Sequence, residues 1–291
     1  MRLLYKFNLI FLIVFLAGLA GSAYVSRELL QRNAMDEILE HARLTMEKAI
    51  AVRTYTNDQI KPLLETQMKY SFLPQSIPAY SATEVLNQLS KAFPDYGYKE
   101  ATLNPTNPRD RTVDWEADVV NAFRSDAKLP EIIGERDASL GRALYLARPI
   151  KITDPGCLSC HTTPESTPAS VVRRYGTSGG YGWKLNEIIG AQIVSVPMAL
   201  PLNMASQAHR AMLASLVGVF VFILLLLNVL LWFTIIRPIR RLSQMADEVS
   251  TGNLDIPEVR FKSRDEVSVL AGSFNRMRIS LVKALKMLEE E

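Results

Sequence analysis

Cysteine and histidine are scarce: the chain has two cysteines, at 157 and 160, and three histidines in 291 residues. A structural zinc site needs four nitrogen or sulfur ligands, and beyond His161 only His41 and His209 could complete one with the two thiols, so zinc is the weakest reading. Charge of one sign is not in excess either. The balance of 33 Lys+Arg against 30 Asp+Glu argues against a nucleic-acid partner, which requires a basic surface. Two local absences say more. Residues 213–236 contain no charged side chain, and residues 26–68 contain no glycine and a single proline, Pro62.

The scarce residues are concentrated in Cys157-Leu158-Ser159-Cys160-His161. This pattern reads as a covalent c-type haem attachment site. Two thiols three residues apart can each form a thioether to one edge of a porphyrin, and the following histidine can ligate the iron. A thioredoxin-like dithiol is the competing reading, but such a pair sits at a helix N-terminus. Here Pro155 and Gly156 precede it and Thr162, Thr163 and Pro164 follow, which predicts a loop.

Two long apolar runs set the topology. Residues 7–25, preceded by Arg2 and Lys6, approach the roughly 20 residues that span a bilayer core. The small residues at 17–23 also suit a cleaved signal peptide. Residues 213–236 read as a transmembrane helix. Arg237, Arg240 and Arg241 follow at once, which places residues 1–6 and everything after the second span in the cytoplasm and residues 26–212 outside. An extracytoplasmic domain agrees with haem attachment in a bacterial periplasm.

Residues 26–70 predict an amphipathic helix continuing outward from the first span. Leu29, Met35, Ile38, Leu39, Ala42, Met46, Ile50 and Val52 follow a 3.6 period. A second helix is predicted over 81–93, with Ser81 and Glu84 at capping-box spacing, and a third over 113–127 with Trp115, Val119, Ala122 and Phe123 buried. Strands are predicted over 97–102, 143–152 and 188–197. The pentapeptide lies between the last two, with Gly176, Gly179, Gly180 and Gly182 after it, in either a close approach to a flat ligand or a flexible loop.

Several segments in order carry a resemblance: Phe72-Leu73-Pro74-Gln75-Ser76-Ile77-Pro78-Ala79, then residues 98–107, Ala147-Arg148-Pro149-Ile150, residues 157–161, Tyr175-Gly176 and Gly182-Trp183. Over residues 35–202 the chain resembles the Tll0287-like family. The resemblance implies an α+β PAS-like domain, a small antiparallel sheet flanked by helices, holding one haem c through Cys157, Cys160 and His161. Some relatives use a third cysteine on the opposite side of the iron, and this chain has none. Met46, His41 and Met68 are the candidates there, or the site is open and binds a diatomic gas. Arg53 and Arg148 are candidate propionate partners.

After the second span, Pro238 is followed by Ile239, Leu242, Ala246 and Val249 at alternating spacings of three and four, with Gly252-Asn253 as a stop. Leu254 and Ile256 lie in an extended connector. A second helix is predicted from Ser263-Arg264-Asp265-Glu266-Val267, with a seam at Leu270, Phe274, Met277, Leu281, Ala284 and Leu288. Residues 237–288 resemble a HAMP domain, which implies an all-α parallel dimeric coiled coil. Two helices with one narrow seam each leave apolar surface exposed in a single copy, so a homodimer is expected.

The combined expectation is a bacterial inner-membrane sensor, not an enzyme. It detects redox state or a small gas through its haem and relays the change through HAMP. Because only Glu289, Glu290 and Glu291 follow Leu288, output is expected through a separate cytoplasmic protein docking on the second HAMP helix. A membrane-tethered electron-transfer cytochrome is the alternative. An uncleaved first span is favoured, since both spans are needed for a bundle across the bilayer.

Overall fold

The computed structural model describes residues 2–138, 141–258, 261 and 265–289. They fall into two compact units, one of residues 25–209 and the other of residues 1–24 with 210–291.

Helix α1 runs from Arg2 to Tyr55 without interruption, as expected of a stretch whose first proline is Pro62. It does not continue unbroken to residue 68. A wide π-type turn, Thr56–Ile60, separates it from α2, Lys61–Met68, whose second residue is Pro62. The proline ring would collide with the carbonyl of Asp58 one turn back, and widening that turn relieves the clash. The same solution recurs where α7, Ala199–Leu231, meets Trp232–Ile236 ahead of Pro238.

In the first unit, α3 (Pro78–Ala92), β1 (Gly97–Thr102), α4 (Asp114–Ser125), β2 (Ile132–Ala138), β3 (Gly141–Lys151), α5 (Leu158–His161), α6 (Ala169–Tyr175) and β4 (Ile188–Pro197) follow α2. The four strands form one antiparallel sheet in the order β1-β4-β3-β2. Alternation along the strands sends Tyr98, Leu144, Leu146, Val194 and Val196 to one face, where Ile38, Ala42, Met46 and Ala49 of α1 and Ala82 and Leu86 of α3 cover them. The other set, Ala101, Ala147, Ala191 and Ile193, packs under Val119, Val120 and Phe123 of α4. Central β4 is therefore buried on both faces, which is why Ile188-Ile189-Gly190-Ala191-Gln192-Ile193-Val194 reads as a nearly continuous run.

Three local expectations need correction. Strand β2 was not apparent in the sequence; it is an edge strand alternating half-buried with exposed residues around Gly134. Helix α3 starts at Pro78, whose fixed φ suits a first helical position. Ser81 donates from Oγ to the Gln75 carbonyl (3.0 Å) and caps nothing, while Glu84 pairs with Arg109. Helix α4 is shorter than expected, and its first turn is held by Glu116, whose carboxylate accepts from the Val113 N–H (2.9 Å).

The second unit contains α1 up to Tyr24 together with α7 from Arg210 onward. The two helices that include these segments are long and apolar enough to cross a membrane. Asn8 and Asn228 face each other there, each amide donating to the other at 3.0 and 2.9 Å, and Phe15 stacks on Phe220 with centroids 3.6 Å apart. In a lipid interior an amide without a partner is costly, so this pair sets the register of the two helices. We expect Asn228→Leu to weaken their association by about 1 kcal/mol and Asn8→Leu/Asn228→Leu to recover most of that loss, measured by SDS titration of the full chain.

Helix α8, Arg237–Ser250, ends on Gly252 at φ +95°, with Gly252 N–H bonded to the Val249 carbonyl and Asn253 N–H to that of Glu248, the hydrogen-bond pair of a left-handed stop. The connector turns Ile256 inward, and Leu242, Val249, Ala271 and Phe274 bury it. The Arg278 guanidinium from α9, Glu266–Glu289, donates to the Ile256 carbonyl. Asp265 caps α9 by accepting from the Ser268 N–H (3.0 Å). Ser263 and Arg264, and the side chain of Leu288, lie outside the described residues. Leu270, Met277 and Leu281 of the expected seam are exposed, whereas Phe274 is buried.

Candidate functional site

The pentapeptide is helical and not a loop. Past the end of β3, Asp154 accepts from the Gly156 N–H (2.8 Å), and the turn Pro155–Cys157 runs directly into α5. The short polar side chain of Asp154 supplies the cap that the prolines and threonines around the motif obscured. Cys157 and Cys160 are then one turn apart, three residues along the same side of the helical segment. Both are free, half-buried thiols. Burial first, and then the charge of Asp154, push the Cys157 thiol up. A reactive dithiol needs the opposite shift.

His161 is held on three sides. Its Nδ1 lies 2.7 Å from the Gly180 carbonyl and 3.3 Å from Thr106 Oγ1, and Trp183 stacks on the ring at 3.8 Å and 11°. A carbonyl only accepts, so Nδ1 carries the proton and Nε2 is left with its lone pair. Burial pushes the imidazole below its ordinary value, with the Gly180 bond opposing it, which favours the neutral ring that binds metals. The holding residues are themselves interlocked. Asn104 accepts from the Gly180 N–H (3.3 Å) and donates to the Tyr181 carbonyl (3.2 Å), while Gly182 and Trp183 donate to the carbonyls of Thr162 and His161. Gly180 sits at φ +83°, and a Cβ there would collide with Thr106. The glycine cluster and the turn at 104–107 were visible in the sequence, but their contact across more than seventy residues was not.

Cys157, Cys160 and His161 line one cavity of about 420 Å³, within the usual range for small-molecule sites. Phe72, Ile77, Ile150, Ile152, Val171 and Ile189 make it apolar, and Arg53, Lys61, Glu100, Arg109 and Asp110 form a charged portion of its wall. Arg53 of α1 donates to both oxygens of buried Glu100 at 2.5 Å. Tyr98 donates to the same carboxylate (2.9 Å) and accepts from Gln192 Nε2 (3.0 Å). Burial, followed by the Glu100 charge, pushes the Tyr98 hydroxyl up, so it stays a donor.

The three residues expected on the far side of a haem iron separate clearly. Met68 lines the cavity, with Sδ accepting from the Leu73 N–H (3.2 Å) and Ser76 Oγ (3.3 Å). Met46 is fully buried in the core between α1 and the sheet, and exposed His41 has its ring 3.4 Å from the Tyr96 hydroxyl; neither lines the cavity. Of the two candidate propionate partners, Arg53 is in the wall, while Arg148 pairs with Glu47 (2.6 Å) and Glu131 (3.6 Å) elsewhere. Among the described residues no three His, Cys, Asp or Glu side chains gather into a metal cluster.

Comparison with known proteins gives two domain matches, a Tll0287-like model over residues 31–197 and a HAMP domain model over residues 230–283. Among solved structures, the crystal structure of the cyanobacterial heme-protein Tll0287 is similar at 17% identity, covering 55% of this chain and 95% of that one, with a TM-score of 0.44. No curated protein sequence matches the chain. Since the first model spans more than half of its residues, the chain belongs to the Tll0287-like family.

Proposed function

We propose that this chain is a bacterial inner-membrane signal-transduction sensor, and not an enzyme, that holds one haem c in the cavity beside α5. The HAMP domain indicates signal transduction, and membership of the Tll0287-like family suggests haem binding. The observation that carries the reading is His161, whose Nδ1 is tied to the Gly180 carbonyl so that Nε2 is the ring nitrogen available to iron, on the wall shared with both thiols. The donor set fits the group. Cys157 and Cys160 would form the thioethers, His161 would ligate the iron, the apolar wall would exclude water, and Arg53 and Lys61 offer cationic partners for propionates. When bound, the haem would supply an iron whose charge changes by one on reduction, or a face open to a small gas.

The chain's own residues suggest how an event there could be passed on. Arg53 belongs both to the cavity wall and to α1, and its pairing with Glu100 ties that helix to β1. A change in charge or volume that biases this pair between two arrangements is the kind of local event signalling requires. We read the α+β domain as PAS-like and periplasmic and the HAMP domain as a cytoplasmic parallel dimer. Exposed Leu270, Met277 and Leu281 on α9 support a second copy on that face, and exposed Val269, Ile279 and Met287 give a separate cytoplasmic protein a surface.

Absorption spectra of the purified full chain, oxidised, reduced and treated with carbon monoxide, test the reading. We expect haem that stays attached after denaturation and is lost in Cys157→Ser/Cys160→Ser. Protein without covalent haem would overturn it. Carbon monoxide binding without displacement of a strong ligand would select gas over redox state as the stimulus.

A further inference from the structure

We propose that Asp110 takes up one proton when one electron is added to the iron held in this cavity, so that the sensor responds jointly to reduction and to pH. The inference rests on the haem reading above. The electron comes from an external one-electron donor and the proton from solvent; the Asp110 carboxylate becomes a neutral carboxyl, and oxidation reverses both transfers.

Asp110 is less compensated than Glu100 on the same wall, while the third carboxylate there, exposed Asp154, accepts from the Gly156 N–H. It ends the turn Pro108–Asp110, with its side chain 22% exposed. Its ion-pair contact is Arg109 at 3.5 Å, but Arg109 donates to Glu84 of α3 at 2.5 Å and lies 5.0 Å over the Tyr80 ring. On β1, Glu100 is bound by Arg53 and by the Tyr98 hydroxyl, and Lys99 is committed to Glu116 (2.6 Å) and to the Arg111 carbonyl (2.7 Å). Lys61 of α2 faces the same cavity. Arg109 and Lys99, the cations that act on Asp110, thus each already serve another carboxylate.

Electrostatics agree with this placement. Burial pushes the Asp110 carboxyl up to about 6, with Arg109 pulling it back and Glu100 adding to the rise. At an effective dielectric of about 20, a unit charge within roughly 10 Å changes a proton affinity about tenfold or more. Adding one negative charge to the cavity therefore moves Asp110 across its titration near pH 6. Glu100 differs in its partners, since Arg53 and the Tyr98 hydroxyl both donate to it.

Spectroelectrochemical titration of the full chain in detergent, between about pH 5 and pH 8, is the test. The midpoint potential is expected to fall by about 59 mV in all as pH rises through the region just above pH 6, the total set by a tenfold one-electron, one-proton linkage, and to level off on either side. Asp110→Asn should lose the slope and Asp110→Glu should keep it. The reduced-minus-oxidised infrared spectrum should gain a protonated-carboxyl C=O band that Asp110→Asn removes. A flat wild-type profile, an unchanged slope in Asp110→Asn, or a band that survives the substitution would overturn the inference and leave the haem reading standing. Absence of covalent haem would overturn both.

Discussion

Arg53→Met is expected to destabilise the sensor domain by about 3–5 kcal/mol, because it strands a charge that the fold has buried. Glu100 has a side chain only 5% exposed, and Arg53 supplies both of its oxygens with a donor at 2.5 Å. Without the guanidinium, the Tyr98 hydroxyl still donates to that carboxylate. A domain of this size loses roughly 2–4 °C per kcal/mol, so the melting midpoint of the full chain in detergent should fall by roughly 6–20 °C. Charge, not packing, is the cause, which two further measurements check. Glu100→Gln in the Arg53→Met background should restore most of the loss. The single variant should also regain stability as pH falls, because neutralising a stranded buried charge favours the folded state. A deficit that is independent of pH and untouched by Glu100→Gln would mean that Arg53 acts only through its aliphatic stem.

Gly180→Ala is expected to cost on the order of 3 kcal/mol and to loosen His161. A side chain at φ +83° is strained, and this one would also meet Cα, Cβ and Oγ1 of Thr106. Both Gly180 and Thr106 touch His161 Nδ1, so the displaced segment is the one that fixes the imidazole. Gly182→Ala is the control. It has a similar φ of +79° but nothing within 4 Å of the added methyl, so only the backbone term of roughly 1–2 kcal/mol remains. The readouts are the melting midpoint and the His161 ring signals by NMR in both variants. Thr106→Gly should relieve part of the Gly180→Ala penalty; equal effects of the two glycine substitutions would show that contact with Thr106 is irrelevant.

Much of the organisation was legible because its causes are local. Thiols three residues apart with an adjacent histidine need no tertiary information to suggest a cofactor chemistry, and an uncharged run of 24 residues has few alternatives to a membrane span. Strand β4 was legible because apolar residues crowd where both faces of a sheet are covered. Edge strand β2 was hidden, since only part of one face is buried and charged Glu135, Arg136 and Asp137 dominate it.

The far side of the candidate haem site was the least legible part. Periodicity put Met46 on the apolar face of α1, and the sheet claimed that face for its core. Met68 lies beyond the wide turn at Thr56–Ile60, which breaks the 3.6-residue phase, and of α2 it lines the cavity together with Lys61. No pattern in the helix could have carried that change of phase, although Pro62 was its visible cause. Arg148 was misplaced for a related reason. Its strand position alternates correctly, but the carboxylates that take it, Glu47 and Glu131, come from remote segments.

By itself the sequence determined what the pentapeptide at 157–161 can bond to, which two segments suit a bilayer, and that paired helices follow the second. These properties come from side-chain chemistry and spacing within one or two turns, and they survive any arrangement of the rest. Only the tertiary structure decided that Cys157 and Cys160 wind onto helical turns, that Gly180 and Thr106 hold His161, and that Arg53 and Glu100 join α1 to the cavity wall. Those contacts join residues 19 to 55 positions apart, and they exist because burying both faces of one sheet forces distant segments to share a single interior.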